Sequence, residues 1–298
     1  GLLNPTPEGC VGGSDTGNMC VMGFNPATYL TGRSPLEAAA LGIKMADDDI
    51  AMRVNLVTLS DDEPYEQKTM VDYSSGEIST EEAAELIKFA SQHFGNELMH
   101  FYSGVSYRHC LIINHGIADQ KLTPPHNITG QKITTYLPKG TYSDTLLDIM
   151  KRSYELLKEH PINKARVARG LRPANSLWMW GQGTKPMLPS FKATHGINGA
   201  VVTAVDLVRG LAFLADMKIY NVEGATGTIH TNFKGKAEAA IKAFEDKYGI
   251  DVEGVKTVKF PNDENIVIAA ATASLCDNSE TVPAALLYDA SETEKTHK

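Results

Sequence analysis

The spacing of apolar and polar positions predicts the helices first. From Ser143 to His160, the residues Leu146, Leu147, Met150, Tyr154 and Leu157 recur at helical intervals ahead of Pro161, the pattern of an amphipathic helix. Ser79-Thr80-Glu81-Glu82 opens a second helix, with Leu86, Ile87, Ala90 and Phe94 on one face and Gly95 as its stop. Ser34-Pro35-Leu36-Glu37 reads as a capping box with Pro at the first helical position, which predicts a short helix to about Ile43. Strands are predicted over Met52 to Leu59, where β-branched residues alternate, and over Leu98 to Tyr107 and His109 to His115. Lys121 to Gly140, rich in Thr, Pro and Gly, reads as a long loop with at most one strand. The stretch holding Trp178, Trp180 and Gly181-Gln182-Gly183 reads as irregular.

From Gly199 onward strand and helix patterns alternate: Ala200–Ala204, a helix through Leu214, Ile219–Glu223, a helix from Thr231 to Tyr248, Val255–Phe260 and Asn265–Ala271. That order predicts an α/β chain whose closing part holds a largely parallel sheet. An opening fragment that resumes after an inserted α+β middle gives three segments, 1–48, 49–170 and 171–298. The joints fall where composition turns polar, near Asp47 to Arg53 and Lys164 to Pro173.

Composition narrows the function classes. The 298 residues carry 28 Lys+Arg against 36 Asp+Glu, a formal net charge of −8, with 42% hydrophobic and 21% charged residues. Those fractions fit a globular chain, and the acidic balance argues against a general nucleic-acid surface, which depends on clustered Lys and Arg. The longest apolar stretches, such as Gly199 to Ala215, are broken by Asp206 and Arg209, so no membrane span is expected. No basic, apolar leader is visible, and the chain opens at Gly1 without an initiator Met, which leaves room for residues upstream. Cys10, Cys20, Cys110 and Cys276 are scattered without a Cys-x-x-Cys pair, which predicts free thiols in a reducing cytoplasm.

The most informative chemistry lies in Gly12-Gly13-Ser14-Asp15-Thr16-Gly17-Asn18. Two glycines let an anion approach the backbone, and a helix beginning at Ser14 or Asp15 would offer free N–H groups to a phosphate. Ser14 there is either a phosphoryl-accepting nucleophile, which needs activation, or a simple cap after a glycine turn. Arg33, Arg53 and Arg108 sit at element edges, where their forks can hold a small dianion or form ordinary ion pairs. His109 can donate to a phosphate or be a satisfied core residue. The Trp178/Trp180 spacing puts both rings on one side of an extended segment, read as core packing, and Gly181-Gln182-Gly183 lacks the strand–helix frame of a nucleotide loop.

Linked motifs carry a resemblance. Gly13-Ser14-Asp15-Thr16-Gly17-Asn18, Thr31-Gly32-Arg33-Ser34-Pro35-Leu36-Glu37-Ala38-Ala39, Met52-Arg53-Val54-Asn55-Leu56-Val57, Val105-Ser106-Tyr107-Arg108-His109, Ala204 to Gly210, Glu223 to Gly227 and Thr231 to Ala237 run in one order over Leu2 to about Phe244. Together they resemble the archaeal-type cofactor-independent phosphoglycerate mutases of the alkaline phosphatase superfamily. The resemblance implies an alkaline-phosphatase-like α/β/α core with an inserted α+β lid domain. It also implies a glycolytic and gluconeogenic isomerase that moves a phosphoryl group between 3- and 2-phosphoglycerate through a phosphoserine, with two divalent metals (manganese, magnesium or zinc). Ser14 matches the nucleophile, which is also a metal ligand. Arg53, Arg108 and His109 match the lid segments expected to hold the substrate, with Arg33 and Asn18 beside them. The implied partner is a small phosphorylated acid, with no nucleic acid or membrane, and an oligomer is left open.

The sequence also departs from the family pattern. An Asp-Gly turn with the first metal aspartate does not precede Ser14, and no acidic Asp…His stretch lies between Tyr248 and Val255. Ala270-Ala271-Thr272 and Asp277-Asn278-Ser279 stand where further metal ligands are expected, and Glu77 stands where histidine is common. Either segments outside this sequence carry the ligands or the form has kept the fold and lost catalysis. Weak or no mutase turnover is the resulting expectation. The alternatives are an inactive relative that binds a phosphorylated acid and a phosphatase or phosphotransferase on the same core.

Overall fold

The structure is a computed structural model that describes residues 6–61, 64–227, 230–248 and 268–270. The chain divides into two compact units, Gly1–Leu30 with Pro186–Lys298, and Thr31–Lys185. This division falls outside the joints expected at 48/49 and 170/171. Residues 31–48 include a helix that packs on strands of the second unit, and residues 171–185 contain one of those strands.

The first unit opens with α1 (Ser14–Val21) and α2 (Pro26–Tyr29). Met19, Met22 and Phe24 are buried, and the Phe24 ring meets Tyr29, Phe191 and His195 edge-on. Asn25 caps α2 by accepting the Ala27 N–H.

The second unit contains α3 (Ser34–Ala40), β1 (Ile50–Leu59), β2 (Met70–Asp72), α4 (Thr80–Phe94), β3 (Met99–Tyr102), β4 (Arg108–Ile113), α5 (Ser143–Lys158), α6 (Pro161–Ala168) and β5 (Ser176–Thr184). The strands form an antiparallel sheet in the order β2-β1-β4-β3, with β5 also paired to β1. β1 is buried along its whole length, because helices cover both faces of the sheet. On one face Met52, Val54, Leu56, Leu111, Leu177 and Met179 pack with the apolar stripes of α4 and α5. On the other, Ala38 of α3 meets Ala51, Cys110 and Ile112. Replacing the α4 cap Ser79, whose Oγ accepts the Glu82 N–H at 3.2 Å, by alanine is expected to remove about 1 kcal/mol of stability in urea unfolding.

Several expectations shift. Ser34 does not cap α3: Arg33 holds that position, and the Ser34 hydroxyl donates instead to the Trp180 carbonyl. The helix stops at Ala40, short of Ile43, with Gly42 following at φ 74°. β3 ends at Tyr102, since the turn carrying Ser106 at φ 54° reverses the chain before β4. Residues 121–140 form two 3₁₀ turns and two isolated bridges, Thr69 to Lys132 and Lys121 to Lys139. The stretch around Trp178 and Trp180, read as irregular, is the long strand β5. Gly32, at φ 153°, explains how: a side chain there would stand 2.2 Å from the Gln182 carbonyl, so glycine lets the chain cross β5 at close range.

The first unit resumes with α7 (Phe191–His195), β6 (Ala200–Val202), α8 (Asp206–Leu214), β7 (Lys218–Tyr220), α9 (Phe233–Tyr248) and β8 (Ile268–Ala270). Its sheet, ordered β7-β6-β8, is parallel, in line with the alternating pattern. α8 buries Leu207, Val208 and Leu211 and packs on α1. The strand expected over Val255–Phe260 lies outside the described residues. Among the described residues the fold is mixed α/β, and no helix is long and apolar enough to cross a membrane.

Candidate functional site

The residues singled out from the sequence fall into two sets, one on each unit. On the first, Gly13 is extended (φ −171°, ψ 167°) and caps α1, so Ser14 is the first helical residue, half-buried at the positive end of the helix. Asp15 Oδ1 accepts the Thr16 N–H at 2.9 Å, and the Thr16 hydroxyl donates to the Val11 carbonyl. Asn18, expected to touch a ligand, lies beneath the helix at 1% exposure, and its amide N–H donates to the Ser14 carbonyl. Among the described residues its buried Oδ1 has no hydrogen-bond partner. The side chain therefore braces the Ser14 backbone.

On the second unit the arginines converge. Arg53, on β1, donates from Nη1 to Glu37 Oε1 at 2.7 Å and from Nε to Asn55 Oδ1 at 3.2 Å. Arg33 donates from Nε to the same Glu37 oxygen at 2.9 Å. Trp180 forms the wall beside both guanidiniums, at 5.0 Å from Arg53 and 5.7 Å from Arg33, and its indole N–H donates to Asn55 Oδ1 at 2.9 Å. Arg108, paired with Asn55 across β1 and β4, shares this face. The Tyr107 ring lies between it and Arg53, at 5.6 and 5.9 Å. Burial raises the Glu37 pKa, but Arg53 and Arg33, with Arg108 further off, outweigh it and hold the carboxyl below the usual glutamate range. Three cations and one carboxylate leave a net positive, partly buried site suited to a small anion.

His109 does not join them. The register sets it opposite Val54, one residue out of phase with Arg53 and Arg108, so its ring enters the sheet face covered by α4 and α5. It is 3% exposed. Its Nδ1 accepts the Gly104 N–H at 3.1 Å, which leaves the proton on Nε2, a buried atom with no hydrogen-bond partner among the described residues. Burial, reinforced by the charges of Arg53 and Arg108, holds its pKa at about 3, so the ring is neutral near pH 7. The structure thus places His109 as a neutral, buried histidine on the opposite sheet face from Arg53 and Arg108.

A strained turn supports the site. Ser75, Gly76 and Glu77 are left-handed in succession, at φ 53°, 68° and 52°. The Asp72 carboxylate accepts from Ser74 N and Oγ, from Gly76 N and from Arg172 Nη1. Buried Arg166 donates to the carbonyls of Ser75 and Arg172 and to Glu82. The turn follows Tyr73, whose carbonyl accepts the Asn55 amide at 3.0 Å and whose ring meets Tyr107 and His126 edge-on. Glu77 itself is exposed.

Glu37, Asn55, Tyr107 and the site role of Trp180 were not legible as functional from the sequence. Only the Trp178/Trp180 spacing hinted at them, and it pointed to packing. Among the described residues no three His, Cys, Asp or Glu side chains gather to hold a metal ion. The donors in view therefore do not make the metal centre that the resemblance implies. The other positions where ligands were expected, 249–255, 271–272 and 277–279, lie outside the described residues.

A family profile described as 2,3-bisphosphoglycerate-independent phosphoglycerate mutase matches residues 1–163. A protein of that name from Methanosarcina barkeri is 45% identical over 248 residues, which cover 83% of this chain and 61% of the relative. One from Methanothrix thermoacetophila is 44% identical over 243 residues, 82% of this chain and 60% of the relative. The chain thus spans about three fifths of the length of these curated relatives. Among solved structures, a Pyrococcus horikoshii protein aligns with a TM-score of 0.60 at 26% identity, over 81% of this chain and 56% of that one. A cofactor-independent phosphoglycerate mutase from Thermoplasma acidophilum aligns with a TM-score of 0.50, also at 26% identity, over 76% and 60%. With the profile covering more than half of its length and these relatives agreeing, the chain belongs to the 2,3-bisphosphoglycerate-independent phosphoglycerate mutase family.

Proposed function

We propose that this chain works as a phosphoglycerate mutase on 3- and 2-phosphoglycerate, with residues 31–185 as its substrate-holding lid. Ser14 Oγ attacks the phosphorus of 3-phosphoglycerate and loses its proton while the bond to the C3 oxygen breaks and that oxygen takes up a proton; the C2 hydroxyl then attacks the phosphoserine, giving up its proton as the Oγ–P bond breaks and Ser14 regains its own. The α1 N-terminus favours the phosphoryl oxygens near Ser14. Arg33, Arg53 and Arg108 hold the anionic ends of the substrate. Their convergence on one half-covered face, walled by Trp180 and Tyr107, is the observation that carries this reading. We propose the cytoplasm as the site of this reaction, a reading that a phosphorylated acid as substrate favours.

Conversion of 3- to 2-phosphoglycerate with added manganese, together with calorimetric binding, tests it. The chain is expected to bind 3-phosphoglycerate and to convert it slowly. Ser14→Ala is expected to lower conversion by about 10³-fold or more while binding changes less than about threefold, because a nucleophile acts on the chemical step. Net release of phosphate would reassign the chain as a phosphatase. Tight binding without any turnover would make it a non-catalytic relative.

A further inference from the structure

A carboxylate inside an anion-binding site opposes its own ligand, so the place of Glu37 needs a reason. Its Oε1 takes one N–H from Arg33 and one from Arg53, and both guanidiniums lie beside the Trp180 ring. Without that shared oxygen the two like charges repel, and each long side chain regains rotamer freedom. Glu37 is fixed in turn, since α3 is locked to the sheet by Ala38 and by the Ser34 bond to Trp180. Arg53 spends Nε on Asn55 and Nη1 on Glu37, and Arg108 spends only Nε, on the Val105 carbonyl at 3.4 Å. Among the described residues, Nη2 of Arg53 and both Nη atoms of Arg108 have no hydrogen bond and remain for a ligand.

We infer that Glu37 is a positioning residue: it clamps Arg33 and Arg53 into the geometry that receives the anionic group of the substrate, at the expense of some positive potential. The inference rests on the proposed phosphoglycerate reading of this site. Position and charge predict opposite signs, which makes the idea testable. If Glu37 were merely a negative charge near the site, Glu37→Gln would tighten anion binding and Glu37→Asp would leave it unchanged. As a clamp, both variants loosen it: the neutral amide oxygen holds two cations more weakly than a carboxylate does, and aspartate falls short by one methylene.

Calorimetric titration of the full chain with 3-phosphoglycerate decides. Both variants are expected to bind about tenfold or more weakly, consistent with the strength of charge-assisted bonds. An unfolding curve of each variant separates this from a folding defect, because a variant that is nine-tenths folded at the titration temperature owes only about a tenth of its apparent Kd to unfolding. Should Glu37→Gln fail to fold, Glu37→Asp carries the same expectation at unchanged net charge. Wild-type binding with equal or tighter binding by the variants overturns the clamp and leaves the proposed function standing. A wild-type chain that does not bind 3-phosphoglycerate overturns both.

Discussion

Replacing Arg166 by methionine is expected to lower the unfolding free energy by about 3–5 kcal/mol, the range for breaking a buried, hydrogen-bonded ion pair. Arg166 is 3% exposed and serves three acceptors at once: Glu82, the Arg172 carbonyl at 2.9 Å and the Ser75 carbonyl at 2.6 Å. Ser75 is fully buried, so its carbonyl would lose its donor without gaining water. Arg169 still reaches Glu82, but from an exposed position that contributes little. For a unit of this size the loss corresponds to a fall in Tm of roughly 10 °C. Arg166→Lys should recover little, since a point charge cannot feed three acceptors in a plane. The three left-handed residues 75–77 are the part most exposed to relaxation, because backbone strain persists only where surrounding structure overdetermines it. Phosphoglycerate affinity is expected to fall along with stability, through Tyr73. A Tm within 2 °C of wild type would show that the network does not hold the turn.

The second large effect depends on pH. His109 has a folded pKa near 3 against an ordinary value of 6.5, first because it is buried and then because Arg53 and Arg108 are near. Above pH 6.5 the ring is neutral folded and unfolded, and its contribution is fully present. Below 6.5 the unfolded chain takes up a proton that the folded chain refuses until about pH 3, so stability falls with falling pH. The slope approaches 1.4 kcal/mol per pH unit, giving roughly 2–3 kcal/mol between pH 6.5 and 4.5. Glu37, Asp72 and Glu82 are also held low; they lose their contributions at more acid pH, as it falls below ordinary carboxylate values and then through their folded ones. His160, lowered by partial burial, adds a smaller loss of the same sign, and exposed His115, raised by Asp48, opposes it. His109→Gln removes one titration and leaves the rest. In urea unfolding at stepped pH, the wild-type and variant stabilities should converge as pH drops through this window. Parallel curves would remove His109 from the account.

Much of the framework was legible because a single periodicity governed each element. The stripes of α4 and α5 meet one sheet face, and β1 is apolar along most of its length. The site was harder for a related reason. Since β1 is covered on both faces, its hydrophobicity does not say which side carries Arg53, and parity decides everything: Arg108 falls with Arg53, while its neighbour His109 faces the core. Glu37 had a sufficient local explanation as an acidic residue in the first turn of a helix. Its partner Arg53 is brought to it only by tertiary packing. β5 was hidden by Gly181 and Gly183, which break the strand pattern; Gly183 is needed because the Thr31 carbonyl would lie 2.6 Å from a side chain there.

That close crossing has an architectural consequence. The Thr31 hydroxyl donates to the Thr184 carbonyl, so the second unit begins and ends at one point. Left flexible, a connection of about 150 residues would impose a loop-closure entropy of about 4 kcal/mol on the unit it interrupts. Folded with its two ends tied, the insertion acts on the flanking chain as a tight turn would, with its length concealed. The closure cost of residues 31–185 is thus met inside the second unit, at the bond between its own two ends.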